Sequence, residues 1–377
     1  MFRIFVNAKS LAGIYLSEGK RTNIRNQSDW FRILMKQNEL FTKGYNIPSD
    51  INSIDPLSDE MVLFLLSLNN QLLLTPADDY IRSITEQPNK VLDYPRSIFW
   101  LDISPKQAKQ IQKDYGVLIQ SSRQKFDTRN ITKEIDTYSF KQHEKVQFSW
   151  KDIYSGVTSI LGNAICIVDR NLFAYDGQIN PKTSEEQANG VFNVFCILDN
   201  ALPKKLKTHY DVTILTEQRT KINEDQTSAK EEVVRDEKFM ERLANSIFQS
   251  IPLLKRDYKI NVEIIAFKKH TKYYNDTHNR RIFSNYYTIS ADLGFNAIKY
   301  SKGQIIGVVY SQEITRKTNF SIGLRSNSAF PVEDVNRMCH RWAEFIEYWR
   351  KNGGTDDYWY ASNSHKTFVD YQNRLFD

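Results

Sequence analysis

The sequence predicts an α/β protein in two parts: a small N-terminal α/β domain, and a C-terminal mixed-sheet α/β domain followed by a helix. Three observations predict it. Short, β-rich apolar runs alternate with segments of helical spacing in both halves of the chain. A polar, charged stretch with few large apolar residues, between Ser121 and Lys145, separates the two series. The chain has 377 residues, more than one ordinary domain holds. The expected boundaries are 1–122 for the first domain, 123–145 for a linker, 146–330 for the second domain and 331–377 for a helix with an aromatic tail.

The first domain opens on the alternation Phe2, Ile4, Val6, a strand. Helical segments follow around Trp30–Met35 and over the apolar run from Met61 to Leu66, the latter capped by Ser58-Asp59-Glu60. Leu72-Leu73-Leu74 is a short strand, and Thr75-Pro76 opens a helix with Asp78 and Asp79 in its first turn. Ser97 to Ile103 is a strand; Ser104-Pro105 then starts a helix that Gly116 closes before the strand Val117-Leu118-Ile119.

In the second domain, Ile165 to Val168 is a buried strand ending at Asp169, and Val191 to Leu198 reads as another ending at Asp199. Val212 to Thr216 is a third strand, and the polar residues from Glu217 to Glu232 read as an exposed loop. Phe239, Leu243, Ile247 and Ile251 recur at helical spacing, so a helix covers about 234–250, ended by Pro252. Val262, Ile264 and Ala266 alternate as a strand, Ile282 to Ile289 is a further strand and Gln304 to Tyr310 a last one. A helix from Val332 to Lys351, with Gly353-Gly354 as its stop, leads into the aromatic tail Tyr358-Trp359-Tyr360 and Phe368 to Phe376.

Composition excludes several classes. No run of 18 apolar residues occurs and the first residues lack the apolar core of a signal peptide, so a cytoplasmic protein without a membrane span is expected. Three cysteines, Cys166, Cys196 and Cys339, stand far apart, and six histidines show no HExxH or CxxC grouping; neither a disulfide framework nor a metal site nor a cofactor is expected. A Walker A loop, GxGxxG and GxSxG are all missing from the sequence. The net charge of +6 is modest, but its distribution is not even: between Lys255 and Arg281 eight basic residues face three acids.

That basic region contains the most pointed motif, His278-Asn279-Arg280 with Asn285 five residues on. Residues two apart in a strand share a face, so His278 and Arg280 are able to address one anion. Around them, Lys268, Lys269, Lys272, Arg281, Lys299 and Lys302 supply phosphate-neutralising charge, and Tyr273 and Tyr274 supply rings for stacking on bases. The bland alternatives are a strand-edge pair satisfied by carbonyls and solvent, a solvated charge run, and an Asn285 amide that bonds backbone.

The run from Val212 to Phe295, with the glycine turn Leu293-Gly294-Phe295, resembles the phospholipase D-like fold, whose active motif is His-x-Lys-x4-Asp. Here it reads His278-x-Arg280-x4-Asn285. The resemblance spans about 146–325 and implies a histidine that attacks phosphorus, a basic residue on the phosphate oxygens and an acid near the centre. Arginine holds phosphate as a bidentate fork; Asn285 carries no charge. A similar His-x-Arg form occurs in phospholipase D-like domains of bacterial phage-defence and mobile-element proteins, which implies nucleic-acid binding in antiviral defence. The alternatives are a metal-independent phosphodiesterase or nuclease acting as a homodimer, with two copies of His278 face to face, and a scaffold that meets a protein partner through its C-terminal tail. The acids Asp55, Asp59, Asp78, Asp79 and Asp102 are similar to the cluster of a PIN-like nuclease, but helix N-terminal preference accounts for Asp59, Asp78 and Asp79.

Overall fold

The computed structural model describes residues 3–7, 39–43, 73–76, 78–124, 137–140, 145–146, 149–155, 161–174, 176, 190–222, 231–234, 236–267, 280–291, 294–295, 298–300, 312–314, 318–324, 330–352, 357–370 and 373–376. The chain is of the α/β class and divides into two compact units, Met1–Glu134 with Leu324–Asn336 and Ile135–Gly323 with Arg337–Asp377.

In the first unit, strands β1 (Arg3–Asn7), β2 (Glu39–Lys43) and β3 (Leu73–Pro76) precede helix α1 (Asp78–Glu86), then β4 (Ser97–Leu101), α2 (Pro105–Tyr115) and β5 (Leu118–Ser121). All five strands are parallel, in the order β3-β2-β1-β4-β5. Their pattern explains the layer. Phe5 stacks on Phe99 at 4.9 Å, and Ile81, Ile84 and Ile111 from the helices close over them. Helix α2 starts where the Ser104 hydroxyl accepts from the Gln107 N–H at 3.2 Å, and ends where Gly116, at φ 68°, donates its N–H to the Gln112 carbonyl. Thr75 and Pro76 lie in β3 rather than opening α1. His278 and the other residues of the basic region belong to the second unit.

That unit begins with β6 (Thr137–Phe140) and β7 (Lys145–Val146), so the polar stretch expected as linker already carries strands. It continues with α3 (Trp150–Ser155), β8 (Ala164–Val168), α4 (Gly190–Ala201), β9 (Tyr210–Glu217), β10 (Arg219–Ile222), β11 (Glu231–Val234), α5 (Glu237–Ser250), β12 (Ile260–Phe267), β13 (Arg281–Ser284), β14 (Tyr287–Ala291), β15 (Ile298–Tyr300), β16 (Gln312–Ile314) and β17 (Thr318–Leu324). Helix α6 (Phe330–Asn352) and β18 (Tyr358–Ser362) follow. One mixed sheet organises it, in the order β18-β12-β9-β8-β13-β14-β17-β6. Strands β8, β9 and β12 run parallel, and β13 and β18 flank them antiparallel. Every residue of β8, β9 and β12 is buried, as strands covered on both faces require.

Helix α5 presents Met240, Leu243, Ala244 and Ile247 inward and is capped by Asp236, whose Oδ1 accepts from the Phe239 N–H at 2.6 Å. Helix α6 lays Trp342, Phe345 and Trp349 on the sheet, with Phe345 edge-on to Phe267 at 4.8 Å.

Three further expectations are corrected. Residues 191–198 form a helix, not a strand. The run Val191-Phe192-Asn193-Val194-Phe195-Cys196-Ile197-Leu198 is apolar on most sides, so periodicity alone does not decide its state. What starts α4 is remote: the Asp176 carboxylate accepts from the N–H groups of Gly190 at 2.7 Å and Val191 at 3.1 Å. Within the polar stretch 217–232, β10 and β11 pair antiparallel. The single strand expected over 282–289 is a hairpin, β13 and β14, turning at Asn285-Tyr286. The expected strand 304–310 and the helical segments at 30–35 and 61–66 lie outside the described residues.

Candidate functional site at the carboxyl edge of the mixed sheet

Ligands of open α/β sheets sit beyond the carboxyl ends of the parallel strands, and in the second unit that edge is ionic. Strand β8 is followed directly by Asp169, which is fully buried. Its Oδ1 accepts from the Asn171 N–H at 2.9 Å and its Oδ2 from the Phe295 N–H at 2.7 Å. Gly294, at φ 113°, gives the backbone the turn that aims the Phe295 N–H at this carboxylate. Arg280, just before β13, brings its Nε within 3.6 Å of Asp169 Oδ1, with only 9% of its side chain exposed. A second buried pair lies alongside, Arg170 Nε to Glu217 Oε2 at 3.5 Å. Arg170 and Glu217 are also joined through backbone, since the Arg170 carbonyl accepts from the Glu217 N–H at 3.2 Å.

The geometry fixes two guanidinium groups against two carboxylates, a charge-balanced frame that low surrounding dielectric stiffens. Arg281 continues the strand beside it and is partly exposed. The chain leaves this edge at Phe267, the end of β12, and returns to it at Arg280. Lys268, Lys269, Lys272, Tyr273, Tyr274 and His278 all fall in the connection 268–279, outside the described residues.

Asn285 stands elsewhere. It lies five residues beyond Arg280, about 16 Å along the strand direction, at the amino edge of β8. There its Oδ1 accepts from the backbone N–H groups of Asn163 at 2.9 Å and Ala164 at 3.1 Å, and its Nδ2 donates to Asn163 Oδ1 at 3.0 Å. Both asparagines are fully buried. The amide joins the hairpin turn to the start of β8, which is the backbone-bonding alternative; Arg280 and Asn285 do not face one phosphate-sized ligand.

Lys299 pairs through its backbone with Glu313 in the small sheet β15-β16-β7, and Lys302 lies outside the described residues. Asp199 is half-exposed and engaged by Arg256 at 3.0 Å and Lys204 at 3.7 Å. Asp102 pairs with Arg123 at 2.7 Å and Asp79 approaches Arg82 at 4.0 Å, both on the surface of the first unit. Among the described residues no group of three His, Cys, Asp or Glu is placed to hold a metal ion, and no helix is long and apolar enough to cross a membrane.

Sequence reading named Asp169 and Arg280 but missed Arg170, Glu217 and their pairing with each other. A signal existed in the run Thr213-Ile214-Leu215-Thr216-Glu217, where an acid closes an apolar strand as Asp169 does. No protein-family model matches the chain, and no curated protein matches it.

Proposed function

We propose that the second unit is a phosphate-binding module for nucleic acid, with the ligand at the carboxyl edge of β8, β9 and β12. One observation carries this reading: the basic, tyrosine-bearing connection 268–279 starts and ends at that edge, and its return point, Arg280, is held by the buried Asp169. Lys268, Lys269, Lys272 and Arg281 then neutralise phosphates, and Tyr273 and Tyr274 stack on bases. The phospholipase D-like resemblance enters through His278 and Arg280 alone, and with it the setting of bacterial antiviral defence. Asn285 belongs to the frame. Binding is favoured over strand cleavage because Asp169, the acid paired with Arg280, already accepts two backbone N–H groups.

The test is retention of labelled single- and double-stranded DNA and RNA in EDTA across a salt series. Intact strands are expected to be retained, and Arg281→Ala to weaken retention of all sequences alike while lowering the salt slope by about 1. No retention of any strand overturns the reading. Cleavage by the wild type that disappears in His278→Ala replaces binding by catalysis.

A further inference from the structure

At the amino edge of the same sheet, residues 373–376 are seated on the face that carries Asp211, Thr213, Asn261 and Glu263. The pairing register puts Asn261 beside Asp211 and Glu263 beside Thr213, so all four side chains share one face. Arg374 is the principal contact. Its Nε donates to Asp211 Oδ2 at 3.0 Å, its backbone N–H to the same oxygen at 3.4 Å and its Nη1 to Thr208 Oγ1 at 3.2 Å, while Nη2 meets His209 Nε2. Asp211 Oδ1 accepts from Asn261 Nδ2 at 2.9 Å and lies 3.4 Å from His209. Asn373 Nδ2 donates to Thr213 Oγ1 at 2.7 Å, and Leu375 is fully buried.

Two nitrogens of the guanidinium therefore donate to separate oxygens and the third lies against the His209 ring, a fork that a lysine ammonium does not reproduce. The charge balance is equally specific. Asp211 is 3% exposed, and without a cation it is a buried carboxylate that strongly favours one. A second carboxyl lies on the same face: Glu263 is also 3% exposed, its Oε1 is 3.8 Å from His365 Nε2, and its Oε2 has no hydrogen-bond partner. The mouth is accessible, because 46% of the His209 side chain is exposed.

We propose that Thr208, His209, Asp211, Thr213 and Asn261 form a guanidinium-binding cradle that Arg374 occupies in cis and that an arginine side chain of a peptide ligand occupies in trans. The arm 373–376 is then a strap over a recognition site for arginine-bearing peptides. Its own sequence, Asn373-Arg374-Leu375-Phe376, shows the pattern the cradle takes: an amide for Thr213, the guanidinium for Asp211, and an apolar pair of which Phe376 packs edge-on to Phe283 at 6.3 Å.

Chemical rescue tests the cradle. Thermal unfolding of full-length Arg374→Ala is followed with ethylguanidinium, and with ethylammonium at equal ionic strength. Ethylguanidinium is expected to raise Tm by about 2–4 °C, saturating at roughly 10–50 mM, whereas ethylammonium needs at least about tenfold more. Equal effects of the two cations, or a linear unsaturable one, overturn the cradle. The wild type tests the exchange, and serves alone should Arg374→Ala not fold. With the peptide acetyl-Asn-Arg-Leu-Phe-amide, amide hydrogen exchange in 373–376 is expected to accelerate at least about threefold while residues 208–213 stay protected. No acceleration at roughly 1 mM peptide overturns it.

Discussion

The two ends of strand β8 are held by different chemistry. At the carboxyl edge, two arginines stand against two acids, Arg280 with Asp169 and Arg170 with Glu217, at 3.6 and 3.5 Å. At the amino edge, β8 is fastened to β13 by neutral amides: Asn285 closes three hydrogen bonds of 2.9–3.1 Å on Asn163 and Ala164. Neutral amides of matched geometry fix a turn at little electrostatic penalty, whereas buried ion pairs contribute little net stability unless their surroundings are good. The contrast separates frame from site. A motif that reads as one unit in sequence is split by the strand, its arginine in the ionic edge and its asparagine in the amide edge.

The sharpest attempt to break this comparison is Asn285→Asp, which restores the acid of the phospholipase D-like motif. If Asn285 is frame, the substitution sets two oxygens against each other where Nδ2 met Asn163 Oδ1 at 3.0 Å, and it buries a charge. A loss of roughly 3–5 kcal/mol is expected, seen as a lower urea midpoint with an unchanged slope. Gain of phosphodiesterase activity with intact stability would place Asn285 in a catalytic site instead.

Next in size is Asp169→Asn, which keeps the shape of the side chain but removes the charge facing Arg280 and one of two acceptors. Stability is expected to fall by roughly 2–3 kcal/mol, with nucleic-acid retention lost at a protein concentration where the variant is still folded by circular dichroism. Unchanged retention in a folded variant would detach Arg280 from the ligand and erase the functional difference between the edges.

How much of this was legible beforehand follows from the distance between cause and effect. Helix α2 was read correctly because its signals are local: Ser104 caps a residue three positions on, and Gly116 closes on Gln112. Helix α4 was misread because its cap, Asp176, lies 14 residues before Gly190 in a turn that no local pattern announces. The ionic edge was half legible, since an acid ending a buried strand is visible in Asp169, but its pairing with Arg280 is fixed only when β13 docks antiparallel on β8. Nothing local marks the partnership of Arg374 with Asp211, 163 positions apart, or of Asn285 with Asn163, 122 apart. Such contacts are settled by sheet order, which hydrophobic periodicity does not specify.

The amino edge of the sheet also carries two buried carboxyls, Asp211 and Glu263, and Glu263 offers the smallest of these effects. Burial pushes the Glu263 carboxyl up to about 9, with the negative charge of Asp211 adding to the rise and Arg350 opposing it. Asp211 moves the other way. Burial raises it, but the His209 hydrogen bond, the charges of Arg374 and His209, and the Asn261 amide together hold it below the ordinary carboxylate value. The two shifts have opposite pH signatures. Asp211 contributes stability above its unfolded value, lost as pH falls through its folded one. Glu263 keeps its proton in the fold while the unfolded chain releases it, so its contribution is complete below about 4.5 and declines as pH rises towards about 9. Glu263→Gln keeps the neutral shape and removes the titration. It is expected to leave stability at pH 4 nearly unchanged and to raise it by roughly 1–2 kcal/mol at pH 8, read as a Tm difference from wild type that widens between those two values. A difference that stays constant across that range would mean Glu263 is ionised in the fold, with the charge of Arg350 outweighing burial.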